Sequence, residues 1–193
     1  MKRRTFDKMV TVVGVGLGIF LFVAAGLMNW GYSFTNNTVK TQLSAQRITM
    51  PGATQNTKEA PSTGTFFKAN GGKMMTTGKQ AQMYADHYIA FHLANMPTYA
   101  AASNASRSAA GALAADPTNP NLKAKADSTA GVVETVFKGE SLRGMLLNAY
   151  AFWQIGQIAK IGALASLVGG LLLIFLSIAG WVHLRRTPEE ATI

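Results

Sequence analysis

The sequence predicts an all-α membrane protein. Two antiparallel transmembrane helices enclose an exoplasmic helical domain, which opens with a long irregular segment. Three observations predict this. Residues 9–30 carry no charge. Residues 161–184 carry none except the titratable His183. Basic residues crowd the far end of each stretch, as Lys2, Arg3, Arg4 and Lys8 on one side and Arg185 and Arg186 on the other. A hydrocarbon core about 30 Å thick needs roughly 20 apolar residues to cross it, and both stretches reach that length. The positive-inside rule then places both termini in the cytoplasm.

The divisions expected are a cytoplasmic tail at 1–8, a first span at 9–30 and an irregular exoplasmic segment at 31–77. A helical exoplasmic domain at 78–160, a second span at 161–184 and a cytoplasmic tail at 185–193 follow. The basic start and apolar core of the first span are also features of a signal peptide. The stretch exceeds a typical signal core, and Ala24-Ala25-Gly26 is followed at once by Leu27, Met28 and Trp30. An uncleaved span is the favoured reading. Trp30 and Tyr32 are expected to anchor the first span at the outer interface. Trp153 and Trp181 mark the two interfaces of the second, about 42 Å apart at ~1.5 Å per residue.

Between the spans, 31–77 is rich in Thr, Asn, Gln, Gly and Pro. Asn56–Gly64 and Asn70–Lys73 carry loop chemistry. Thr77 and Gln80 fit a capping box, in which the hydroxyl accepts a backbone N–H and the glutamine reaches back. Apolar residues then recur at helical spacing from Ala81 to Met96, until Pro97. Tyr99–Ala115 reads as an alanine-rich helix ended by Asp116-Pro117. Asn119 caps a further helix with Pro120 in its first turn. That helix is expected to end near Phe137 at a Gly139 cap, and Ser141 to start a long helix running to Arg186.

The charge balance excludes one class of partner. Basic residues number 18 against 9 acids, a net charge of +9. Six of the 18 flank the spans, and the other 12 are spread from Lys40 to Lys160 among six acids. No basic run interleaves with aromatics, so nucleic acid is not an expected partner. Cysteine is absent, which excludes disulfides and thiolate chemistry.

Small residues form the candidate packing faces. Gly14 and Gly18 lie four apart in the first span, and Gly162, Ser166 and Gly170 repeat at the same interval in the second. Such faces allow close helix approach in lipid. They either pair the spans with each other or dock one span on another protein. Gly14, Gly16 and Gly18 do not form a nucleotide loop, since no strand precedes them. His87 and His92 are five apart, ~140° around a straight α-helix, and do not converge on one metal. His92 is expected in a core or interfacial place, with Asp86 and His87 solvated. No catalytic residue, metal ligand or cofactor is expected.

The stretches TGKQAQMYADHYIAFHL and LRGMLLNAYAFWQIGQIAK, with their flanking spans, resemble a family of small two-span membrane proteins of actinobacteria. The resemblance implies the two-span topology. Some of those relatives carry the label aromatic ring-opening dioxygenase, which needs a set of iron ligands that this sequence does not supply. The function expected is that of a non-enzymatic accessory or assembly subunit of a cell-envelope complex, for example a respiratory one. Membrane lipids and another membrane protein are its expected partners. The alternative is a membrane-anchored exoplasmic module that binds a lipid or small apolar ligand.

Overall fold

A computed structural model of the chain describes residues 3–52, 61–186 and 188. Met1, Lys2, residues 56–60 of the expected loop and most of the C-terminal tail lie outside them. The described residues are almost all helical, with α1 at Arg3–Gln46, α2 at Pro61–Asn70 and α3 at Gly78–Met83. A π-helical turn, Tyr84–Ile89, leads into α4 at Ala90–Leu93, followed by α5 at Tyr99–Ala115 and α6 at Pro120–Arg186. One isolated antiparallel bridge, Thr49 to Met74, is the extended pairing among them.

Two helices, α1 of 44 residues and α6 of 67, are long and apolar enough to cross a membrane. The core helix of a soluble protein would also be apolar, but it would be covered. Here only 11% of the most apolar window of either helix is buried. Large side chains such as Phe20, Leu27, Leu171 and Phe175 stand open. Exposed apolar area on this scale marks a face that meets a membrane or another protein.

The chain divides into two compact units, residues 1–37 with 154–193, and Thr38–Trp153. In the first unit α1 and α6 pack along a seam. On α1 the residues along it are Thr11, Gly14, Gly18, Leu21, Ala25, Met28, Tyr32 and Thr35, of which Met28 is partly open. On α6 they are Gly156, Ala159, Ala163, Ser166, Gly170, Leu173, Ser177, Gly180 and Leu184. Both sets advance in alternating steps of three and four. That is the 3.5-residue repeat of a coiled-coil seam, which keeps one stripe facing a partner over many turns.

The second unit has the compact core. Val39, Leu43, Met50, Phe67, Met75, Ala81, Ala85, Ile89 and Leu146 are buried together. After α1 the chain turns at Arg47, in the left-handed region at φ 54°, and Arg47 N–H donates to Ser44 O at 3.2 Å. Met50 N–H donates to Lys73 O at 2.9 Å and Met75 N–H to Ile48 O at 2.8 Å. These bonds deliver Met50 and Met75 to the core. Between them Gly72 takes φ 74°, a conformation that costs glycine least.

Several expectations are corrected. The irregular segment at 31–77 is helical at 31–46 and 61–70. Asn37, Lys40 and Thr41 stand on the open face of a helix whose inner face carries Thr35, Val39 and Leu43. Pro61 stands at the first position of α2, where its missing N–H is not needed. No break occurs between Pro120 and Arg186. Gly139 is therefore not a cap. A Cβ there would lie 2.9 Å from Leu93 Cδ2, so glycine serves close approach within a continuous helix.

Other signals appear as read. Thr77 and Gln80 form both halves of the capping box. Asn119 Oδ1 accepts from the N–H groups of Asn121 and Leu122 at 3.1 and 3.4 Å. Pro97 lies beyond the end of α4, and Asp116 caps α5.

Candidate functional site

Four of the five small residues singled out in the spans have a contact on the facing helix. A Cβ on Gly14 would collide with Ser177 Oγ. One on Gly18 would lie 2.8 Å from Ile174 Cδ1 and 3.4 Å from Gly170 O. On Gly162 it would meet Met28 Sδ at 2.8 Å, and on Gly170 it would meet Phe22 Cε1 at 3.0 Å and Gly18 O at 3.2 Å. Ser166 is half-buried on the same stripe. These four residues therefore lie against the facing helix. Packing of this kind, not hydrophobicity, holds helices together in lipid.

Hydropathy could not reveal two further members. A Cβ on Gly156 would collide with Thr35 Oγ1, and one on Gly180 would lie 3.0 Å from Thr11 Oγ1. Both threonine hydroxyls are satisfied along their own helix: Thr35 Oγ1 donates toward Gly31 O and Tyr32 O, both at 3.0 Å, and Thr11 Oγ1 toward Asp7 O at 2.8 Å. A hydroxyl bonded in this way can sit at an apolar contact without an unpaired donor. The signal in the sequence was the 3.5-residue recurrence of Gly, Ala and Ser, not the four-residue interval alone.

The four aromatic residues expected as interface anchors differ in their settings. Trp30 is exposed, with its ring 5.7 Å from that of Phe34. Tyr32 is half-buried, and Lys160 Nζ lies 5.1 Å from its ring centroid. Trp181 is exposed, with Arg185 Cζ 4.8 Å from its ring. Trp153 differs. It packs against the core of the second unit and its Cβ is where a side chain on Gly78 would go. That ring is committed to protein packing, a role the interface reading did not include.

The histidine cluster is rearranged by the π-helical turn, where bonds run i to i+5. The angle expected from a straight α-helix does not apply across it. Tyr84, Tyr88 and His92 form a column of mutually tilted rings, with centroids 4.9 and 4.5 Å apart. His92 is exposed and its Nδ1 lies 2.7 Å from Tyr88 O, so it is not a core residue. Asp86 is not simply solvated. Its Oδ1 is 3.4 Å from Arg143 Nη2, both side chains being about one-third exposed. Arg143 Nη1 is also 3.7 Å from Glu140. Burial pushes the Tyr84 phenol above its usual range, and Tyr88 adds to the shift. Among the described residues no group of three or more His, Asp or Glu side chains is placed to hold a metal ion.

In the second unit, a groove of about 390 Å³ runs beside the end of α1 and the middle of α6. Val39, Leu43 and Leu146 form its apolar floor, and Gln42, Gln46 and Asn148 stand around it. Comparison with known proteins finds no matching family model, curated protein or solved structure.

Proposed function

We propose that this chain is a non-enzymatic integral membrane protein serving as an accessory or assembly subunit of a larger cell-envelope complex. In this reading α1 and α6 cross the membrane antiparallel, both termini lie in the cytoplasm, and residues 31–160 are exoplasmic. The antiparallel sense is supported by the contact pairs 11–180, 14–177, 18–174, 22–170, 28–162 and 35–156, in which one number rises as the other falls. The orientation is supported by the basic residues at both tails.

The observation that carries the subunit role lies outside the spans. Tyr99 and Phe137 are 51% and 58% exposed, with rings 6.0 Å apart. Lipid would not cover them on an exoplasmic hairpin, and paired exposed aromatics are the residue type that anchors protein interfaces. Purification in mild detergent should bring down a second membrane protein in fixed proportion. Replacing Tyr99 and Phe137 together by serine should lose that protein while the chain stays folded. Isolation of the wild type as a lone monomer in several mild detergents would overturn the proposal. The groove floored by Val39, Leu43 and Leu146 favours the second reading, an exoplasmic module for a lipid or small apolar ligand. In that case the wild type would retain a bound small molecule and no protein partner.

A further inference from the structure

A second groove, of about 560 Å³, lies in the first unit between α1 and α6. We propose that it binds an anionic phospholipid, with one acyl chain in the groove and the phosphate on Lys160. The inference rests on the membrane reading above. The groove exists because its floor lacks side-chain volume: Gly26 has no Cβ and no heavy atom within 4 Å of where one would be, and Ala163 is buried beside it. Phe22 and Leu164 wall it, and its lining is almost wholly apolar except for Asn29 and Lys160. Both of those polar residues line the groove. The helix pairing that sets Met28 against Gly162 also brings Asn29 and Lys160 to the same end.

The chemistry is therefore divided along one axis. From Lys160 the lining follows α6 to Leu167, about 10 Å at ~1.5 Å per residue. A hydrocarbon chain fills that length. At its end, Lys160 Nζ sits 5.1 Å from the Tyr32 ring centroid. A ring contact localises the ammonium and leaves its N–H donors for an anion. No acidic side chain among the described residues forms an ion pair with it. A ligand with a chain at one end and a negative charge at the other complements both halves. A net-negative headgroup is favoured over a zwitterionic one, whose own ammonium would crowd Lys160.

The test uses the full chain. Its retention in membranes after an alkaline carbonate wash is checked first. Release there overturns the membrane reading and this proposal together. Protein that stays in the membrane is then purified in mild detergent and studied by native mass spectrometry. Phosphatidylglycerol and phosphatidylcholine of the same acyl chains are added separately. The wild type should retain phosphatidylglycerol about fivefold more than phosphatidylcholine, the size of effect expected of one basic residue facing an anionic lipid. Lys160→Gln, at an exposed position, should abolish the preference. Gly26→Leu should reduce retention of both lipids by filling the groove, with unchanged thermal unfolding because nothing lies near its Cβ. Equal retention of the two lipids by the wild type, or an unchanged preference in Lys160→Gln, would overturn the lipid site and leave the membrane reading standing. Competition by glycerol phosphate, which has no acyl chains, would also overturn it in favour of a simple phosphate site.

Discussion

Gln80 is a buried amide that closes three hydrogen bonds in the second unit. Its Oε1 accepts from the N–H groups of Thr76 and Thr77 at 2.8 and 3.0 Å, and its Nε2 donates to Asn70 Oδ1 at 3.0 Å. Gln80→Leu keeps the volume and leaves those three groups without their partner. A loss on the order of 2 kcal/mol or more is expected in chemical unfolding. Gly156 makes the same argument in space. Because even a methyl there would collide with Thr35, Gly156→Ala should cost roughly 1–3 kcal/mol by overpacking. Gly16→Ala, with nothing near its Cβ, should be neutral or better in the same thermal assay. Tyr84 supplies a pH dependence. Its folded pKa is raised, so the folded state holds the proton more tightly. That stabilisation is whole below the unfolded value of about 10 and is lost as pH climbs past it. Tyr84→Phe should flatten the alkaline limb of stability against pH.

At the scale of elements, the helices differ in how well they are held. The hairpin formed by α5 and the start of α6 buries Ala102, Ala109 and Val136, which are small or few. The core around Phe67, Leu43 and Met75 is larger and fully enclosed. Amide exchange should therefore run faster in α5 than in the core-facing turns of α1 near Leu43, since thinly packed elements open locally at lower cost. Equal protection would count against this. The same contrast explains what could be read from the sequence. The capping box at Thr77, the Asn119 cap and the apolar runs are local signals, carried by residues a few positions apart, and they were legible. The continuity of α1 beyond Trp30 was not, because its support is tertiary: Val39 and Leu43 face residues more than 100 positions later, such as Leu146. The place of Gly139 is tertiary in the same way. A glycine in a helix looks like a terminus until the distant Leu93 is seen beside it. The column Tyr84, Tyr88 and His92 needed the π-helical turn, which no residue pattern announced.

At the scale of the whole molecule, the proposed topology makes a direct prediction. The chain has no cysteine, so single cysteines report cleanly. One introduced at Ser62 should react with an impermeant thiol reagent on intact cells, and one at Thr5 should react only after the cells are opened. Labelling at Thr5 on intact cells would reverse the orientation. The seam of the first unit sets small residues against larger ones in both directions: Gly162 and Gly170 of α6 lie against Met28 and Phe22 of α1, and Gly18 of α1 lies against Ile174 of α6. In genetic terms this is a ledger of suppressors. An inactivating enlargement on α6, such as Gly170→Ala, should be rescued by a matching reduction on α1, such as Phe22→Leu. Selection for revertants should recover such pairs in the falling-number order of the seam, so that inheritance alone would trace the register of the two helices.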